Sequence, residues 1–321
     1  MSDGGKQLGL FGQTPDQPVA AAAVSADLKA LAGTLSTRQR FGTSSWSFPG
    51  WQGLVYDRRT TQSLLARHGL AAYAEHPLLR TVGVDRTFYA PIGARDFATY
   101  AAAVPDDFRF LVKACSVCTA HRNRRDDGSW QDNPGYLDAS FATEQVVAPF
   151  VEGLGQKAGP LVFQFPPHGP RDPRAFADDL GAFLAALPRG PAYAVELRDQ
   201  PLFTPEYIDA LRAANAGHCL SLHPRMPPVN EQAAASAALD GPLVVRWMLK
   251  RGLGYRAAQE RYSPFDQLVD PDPGSRADIA ALCLDATRAD RDVFVIVNNK
   301  AEGCAPQSVF ALAQQIAAGR R

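Results

Sequence analysis

No excess of either charge marks this chain: 33 lysines and arginines balance 33 aspartates and glutamates over 321 residues. That balance argues against a dedicated basic coat for nucleic acid, although it leaves room for a local basic face. Cysteine is scarce, and the five present are scattered and odd in number, so they set up no disulfide framework. Cys115 and Cys118 form a C-x-x-C with no second pair to complete a zinc site, and we read it as structural. No apolar run approaches the ~20 residues that span a bilayer. The N-terminus lacks a basic region followed by an apolar core, so no membrane association and a cytoplasmic location are expected. A G-x-G-x-x-G turn, a G-x-S-x-G elbow and H-x-x-x-H or H-E-x-x-H spacings are all missing. His121, His168, His223, Asp85 and Glu196 could meet in space but lack the spacing of a metal motif, so no metal ligand is assigned, and the sequence leaves the cofactor unknown.

What is present is alternation. Apolar runs predict strands over 41–45, 81–89, 108–113, 161–165, 192–199, 218–222, 243–247 and 293–297. Helical stretches are expected over 60–76, up to about 103, after a long loop at 114–138, over 172–187 and 204–215, in a short alanine-rich piece, after a second long loop at 249–274, and after Pro306. Eight near-continuous apolar strands separated by helices are what an α/β (β/α)8 TIM-type barrel requires, with both faces of each strand buried. The barrel is expected to occupy 39–321. Residues 1–38 read as a flexible N-terminal tail, because the first 24 or so are rich in Gly, Gln, Pro, Asp and Ala and offer little to bury.

In such barrels chemistry sits at the C-terminal strand ends. Those ends carry Trp46, Asp85, Tyr89, Lys113, Gln164, Glu196, Arg198, His223, Arg246, Asn298 and Asn299. The fifth run closes on Glu196, Arg198 and Asp199, charges that are costly to bury unless paired. Convergence of so many polar groups suggests a pocket for a polar or anionic ligand. Glu196 is the expected general acid or base, tuned by Arg198, with Asp85 as a second carboxylate. The loops His121 to Arg125 with Trp130, and Lys250 to Tyr262, alternate basic and aromatic residues, which suits phosphate contacts and base stacking. A phosphate-bearing substrate, either nucleic acid or a phosphorylated small molecule, is the leading expectation, with phosphate-ester hydrolysis as the reaction. A non-catalytic binding module and a carbohydrate hydrolase or isomerase are the alternatives.

The tail holds one motif, Gln7-Leu8-Gly9-Leu10-Phe11. It resembles the short peptides by which bacterial DNA-maintenance proteins engage the sliding clamp, with Leu8, Leu10 and Phe11 filling an apolar groove and Gln7 fixing orientation.

The barrel region also resembles a known family. Gly42-Thr43-Ser44-Ser45-Trp46 with Trp51-x-Gly53 and Tyr56 is similar to the opening of the YecE-like family, domain of unknown function seventy-two. Thr87-Phe88-Tyr89 with Pro91, Phe108-x-Phe110-x-Val112-Lys113, Gln164-x-Pro166-Pro167, Glu196-x-Arg198, Val245-Arg246 and Asn298-Asn299 continue the match in order. The resemblance covers about 41–310 and implies a TIM-type barrel with no settled activity. This chain departs from the pattern at Gly83 and Asp85, where relatives carry an acid and an amide, and at Met248, where they carry a histidine. Those departures favour ligand binding over turnover.

Overall fold

A computed structural model describes residues 19–125, 127–167, 169–170 and 172–320. Gln7, Leu8, Leu10 and Phe11 of the clamp-like peptide, and His168, lie outside the described residues. Eight parallel strands close into a barrel: β1 Gln39–Thr43, β2 Leu79–Val84, β3 Arg109–Lys113, β4 Ala158–Gln164, β5 Tyr193–Glu196, β6 Gly217–Leu222, β7 Leu243–Trp247 and β8 Val293–Val297. Each pairs with its sequence neighbour, and β8 closes on β1 in register Gln39 with Val293 through Thr43 with Val297.

Local chemistry explains where the helices between strands begin. Asp172, Thr204 and Asp272 each precede a proline that opens a helix: Pro173–Ala186, Pro205–Ala213 and Pro273–Arg288. The cap side chain accepts from an otherwise orphaned N–H, and proline at the first position forfeits nothing because its missing N–H had no partner there. Asp172, for example, accepts from Arg174 N at 2.9 Å and Ala175 N at 3.1 Å.

Burial divides into two layers. An inner cluster takes one residue or more from each of β3 to β8: Leu111, Val162, Ala194, Cys219, Val244, Phe294 and Ile296, joined by Met248. The larger outer cluster packs the opposite strand faces, including Val82, Phe110, Phe163, Val195 and Val245, against the helices. Strand side chains alternate between faces, so the inner cluster fixes which residues enter the barrel. At Gly42 the strands approach so closely that a Cβ would lie 1.9 Å from the carbonyl oxygen of Thr81.

Three expectations change. The second strand stops at Val84 instead of running to Tyr89, because Thr87 turns the chain. Its hydroxyl sits between the carbonyls of Val84 and Lys113, at 2.7 and 2.5 Å, in a 3-10 turn over Arg86–Phe88. The loop after β7 contains a helix, Tyr255–Tyr262, whose polar composition hid it. Residues 19–38, assigned by composition to the tail, lie against the barrel. Val19 and Ala22 are buried, Ala21 pairs with Tyr56, and a helix spans Ala26–Thr34. Backbone pairing with the loop after β1 adds to that packing.

Candidate functional site

Two residues beyond the inner apolar layer, the same alternation brings a different set of side chains to the C-terminal mouth. Stepping from Leu111, Val162, Ala194, Cys219, Val244 and Ile296 reaches Lys113, Gln164, Glu196, Ser221, Arg246 and Asn298. Strand register places Gln164 opposite Glu196 and Ser221 opposite Arg246. Asp85 joins them just beyond β2.

Arg246 is the hub. It is 1 % exposed, and one terminal nitrogen donates to Oε2 of the fully buried Glu196. The other donates to both carboxylate oxygens of Asp85, at 2.9 and 3.2 Å. Its Nε has no partner among the described residues. The second oxygen of Glu196 accepts from Arg198 Nε at 3.0 Å and from Ser221 Oγ at 3.2 Å. Burial alone would raise the Glu196 pKa, but Arg246, Arg198 and Lys113 together outweigh it and hold the carboxyl well below the usual range. Glu196 is thus a fixed anion at the pH values where proteins work. The role of proton carrier expected for it does not suit this geometry.

Lys113 differs. Its Nζ lies 3.4 Å over the centre of the Phe88 ring, and the residue is 7 % exposed. Burial lowers its pKa to about 7; Asp85 acts the other way, while Arg246 and Arg198 add to the fall. His223, on the rim, is pushed down to about 4 by burial and then by Arg198.

Other predicted site residues do scaffold work. The Trp46 indole donates to Leu65 O at 3.1 Å and its ring packs edge-on against Tyr100. Asn299 Oδ1 accepts from the Trp51 indole and from Ala305 N, tying the end of β8 to the first loop and to the last helix. Asn298 donates to Ser44 Oγ at 2.8 Å across the β8–β1 seam. Tyr89 stands 83 % exposed on the rim, edge-on to Phe88.

Sequence reasoning missed Ser221 and the platform role of Phe88. Alternation would have found Ser221, two residues from Cys219, but Phe88 depends on the turn made by Thr87. Behind Ser221, its N–H and carbonyl are held by Gln232, which also meets His218 at 3.1 Å; His218 in turn lies 2.9 Å from the Tyr207 hydroxyl. This buried chain fixes β6 beside Glu196.

The two basic loops follow β3 and β7, so both rise at this mouth. The first forms a ribbon, Arg122–Arg124 against Trp130–Asp132, with Arg122 paired to Asp132 and Trp130 exposed. In the second, Arg261 and Tyr262 both bind Asp270. A concavity of about 1060 Å³ lies at the opposite end, between Arg38, Arg109, Pro160, Pro191, Pro242 and Phe294, away from this charge cluster. Among the described residues no group of three His, Cys, Asp or Glu side chains is placed to hold a metal, and no helix is long and apolar enough to cross a membrane. The cysteines are all free and buried, and burial pushes the Cys118 thiol up to about 12.

Comparison with solved structures agrees with the barrel. A DUF72 family protein from Thermotoga maritima is similar at 20% identity and TM-score 0.60, over 87% of this chain and 98% of that one. One from Enterococcus faecalis is similar at 17% identity and TM-score 0.56, over 87% and 95%. At such identities the likeness shows the fold alone. No curated protein matches the chain. The family model described as "Protein of unknown function DUF72" matches residues 40–321, which takes in every barrel strand but the first residue of β1, and the chain belongs to that family.

Proposed function

We propose that the C-terminal mouth of the barrel binds a phosphate-bearing ligand. The observation that carries this reading is the posture of Arg198. Its Nε is anchored on the buried Glu196 carboxylate, while its two terminal nitrogens make no hydrogen bond among the described residues. A guanidinium held by one edge presents the other as a planar fork, the geometry that grips phosphate in two places. Lys113 adds a second cation as pH falls below about 7. The exposed rings of Tyr89, Trp130 and Tyr255, carried on segments that follow β2, β3 and β7, offer stacking faces suited to a nucleotide or a strand.

Glu196 then serves as counter-ion and anchor for two guanidiniums, and a binding role does not depend on turnover. The carbohydrate-hydrolase alternative needs a carboxyl that holds a proton near neutral pH. Glu196, ringed by cations, is a poor candidate, and Asp85 is engaged by Arg246.

Calorimetric titration with pyrophosphate, ribose 5-phosphate and a short single-stranded oligonucleotide tests the reading. Arg198→Met should weaken binding roughly 10- to 100-fold, as expected for losing charge-assisted hydrogen bonds. Equal affinity in wild type and variant would overturn it. The peptide Gln7 to Phe11 supports a separate attachment, through which the barrel would be tethered to the bacterial sliding clamp.

A further inference from the structure

We propose that Lys113 is a nucleophilic amine, which forms an imine with the carbonyl carbon of a phosphorylated aldehyde or ketone. The phosphate of that ligand rests on Arg198, so this part depends on the preceding reading.

Three cations, Lys113, Arg198 and Arg246, meet two carboxylates, Asp85 and Glu196. Both carboxylates are taken by guanidiniums: Asp85 by Arg246, and Glu196 by Arg246 and Arg198. Among the described residues the Lys113 amine makes no ion pair and no hydrogen bond; its neighbour at Nζ is the face of Phe88. Lys157 and Lys250 show the contrast. Lys157 donates to the carbonyls of Ala101 and Val104, and Lys250 to those of Asp270 and Pro271.

A buried layer with a surplus positive charge relieves it at the group that can release a proton. Arginine does not release one in proteins, so the lysine does. Burial lowers the Lys113 pKa to about 7, helped by Arg246 and Arg198 and opposed by Asp85 and Glu196. At neutral pH it then offers about a thousandfold more free amine than an ordinary lysine. Desolvation beside other cations is a known way to activate a lysine toward carbonyls.

The step balances without a co-reactant. The neutral Nζ attacks the carbonyl carbon, an N–C bond forms, and the C=O π pair moves to oxygen. Proton transfer from nitrogen to that oxygen gives the carbinolamine. The nitrogen lone pair then forms C=N as the C–O bond breaks, and the departing hydroxyl takes a proton from solvent and leaves as water. No electrons enter or leave. The iminium nitrogen gains a positive charge, which Asp85 and Glu196 favour.

The test treats the full chain with glyceraldehyde 3-phosphate or with glyceraldehyde, reduces with borohydride, and maps the secondary amine among Lys6, Lys29, Lys113, Lys157, Lys250 and Lys300. Labelling concentrated at Lys113 by roughly tenfold or more, half-maximal near pH 7, is expected. Label spread by exposure, or absent from Lys113, overturns the proposal. Because the wild-type chain is mapped directly, this outcome does not depend on any Lys113 variant folding. A preference for the phosphorylated probe that disappears in Arg198→Met supports both readings. Lys113 labelled equally by both probes supports the amine and removes the phosphate.

Discussion

Arg246 on β7 reaches across the mouth to Asp85 beyond β2, donating one terminal nitrogen to both of its carboxylate oxygens at 2.9 and 3.2 Å, while the other nitrogen holds Glu196. Three strand ends are therefore clasped by one side chain. Replacing it leaves Oε2 of the fully buried Glu196 without its donor, and breaking a buried pair from one side costs about 3–5 kcal/mol. Arg246→Met should lose that much in urea unfolding. Asp85→Asn, at a site a third exposed, should lose about 1 kcal/mol or less.

Lys113→Met should move stability in the opposite direction. The folded amine has its pKa lowered to about 7 from 10.5, so between those values the unfolded chain binds more protons and wild-type stability rises with pH. The cost of burying the charged amine is fully present below pH 7. Methionine removes it, and the variant should be more stable at pH 7 by about 1 kcal/mol or more, with the gap closing toward pH 10.5. Chemical unfolding of both proteins at pH 7 and pH 10 measures this, and a less stable variant at pH 7 would count against an uncompensated amine.

Acid should weaken the fold through identifiable groups. His218 is buried neutral, its pKa lowered by burial to about 4 from 6.5, so its contribution is complete above pH 6.5 and is lost as pH falls toward 4. Glu196, also depressed, loses its contribution further into acid. His218→Asn should flatten the dependence of Tm on pH between 6.5 and 4, by about one proton's worth of slope.

Gly42→Ala probes barrel closure. The added methyl would meet the Thr81 carbonyl at 1.9 Å, where the pairing of β1 with β2 shifts register. Backbone cannot yield cheaply there. A loss of several kcal/mol, or failure to accumulate as folded protein, is expected from such overpacking. Circular dichroism melts report it.

The N-terminal peptide is tested apart from the barrel. A labelled peptide of residues 1–20, titrated against purified bacterial sliding clamp by fluorescence polarisation, should bind at about micromolar Kd, near −8 kcal/mol. A Leu10→Ala, Phe11→Ala peptide should not bind. No binding by the native peptide would reduce the motif to coincidence.

Much of the barrel was legible because strands buried on both faces must be apolar almost throughout, and helices between them need caps. Leu243–Trp247 and Val293–Val297 match the expected bounds, and Asp172-Pro173 and Thr204-Pro205 mark helix starts. Lys113, Gln164, Glu196, Arg246 and Asn298 were legible as strand-end residues. Trp46, Asn299 and Tyr89 were equally near strand ends, yet the first two point their hydrogen bonds into the scaffold and the third lies beyond a turn.

The order of residues along the chain thus determined the barrel, its strand ends and the kinds of charge collected there, since alternation and capping are local properties. Which charges meet was decided only in the folded barrel. Asp85 and Arg246 are 161 residues apart in the chain. The inward parity of each strand, set by how the inner apolar layer packs, makes Glu196 a fixed anion and leaves Lys113 without a carboxylate of its own among the described residues.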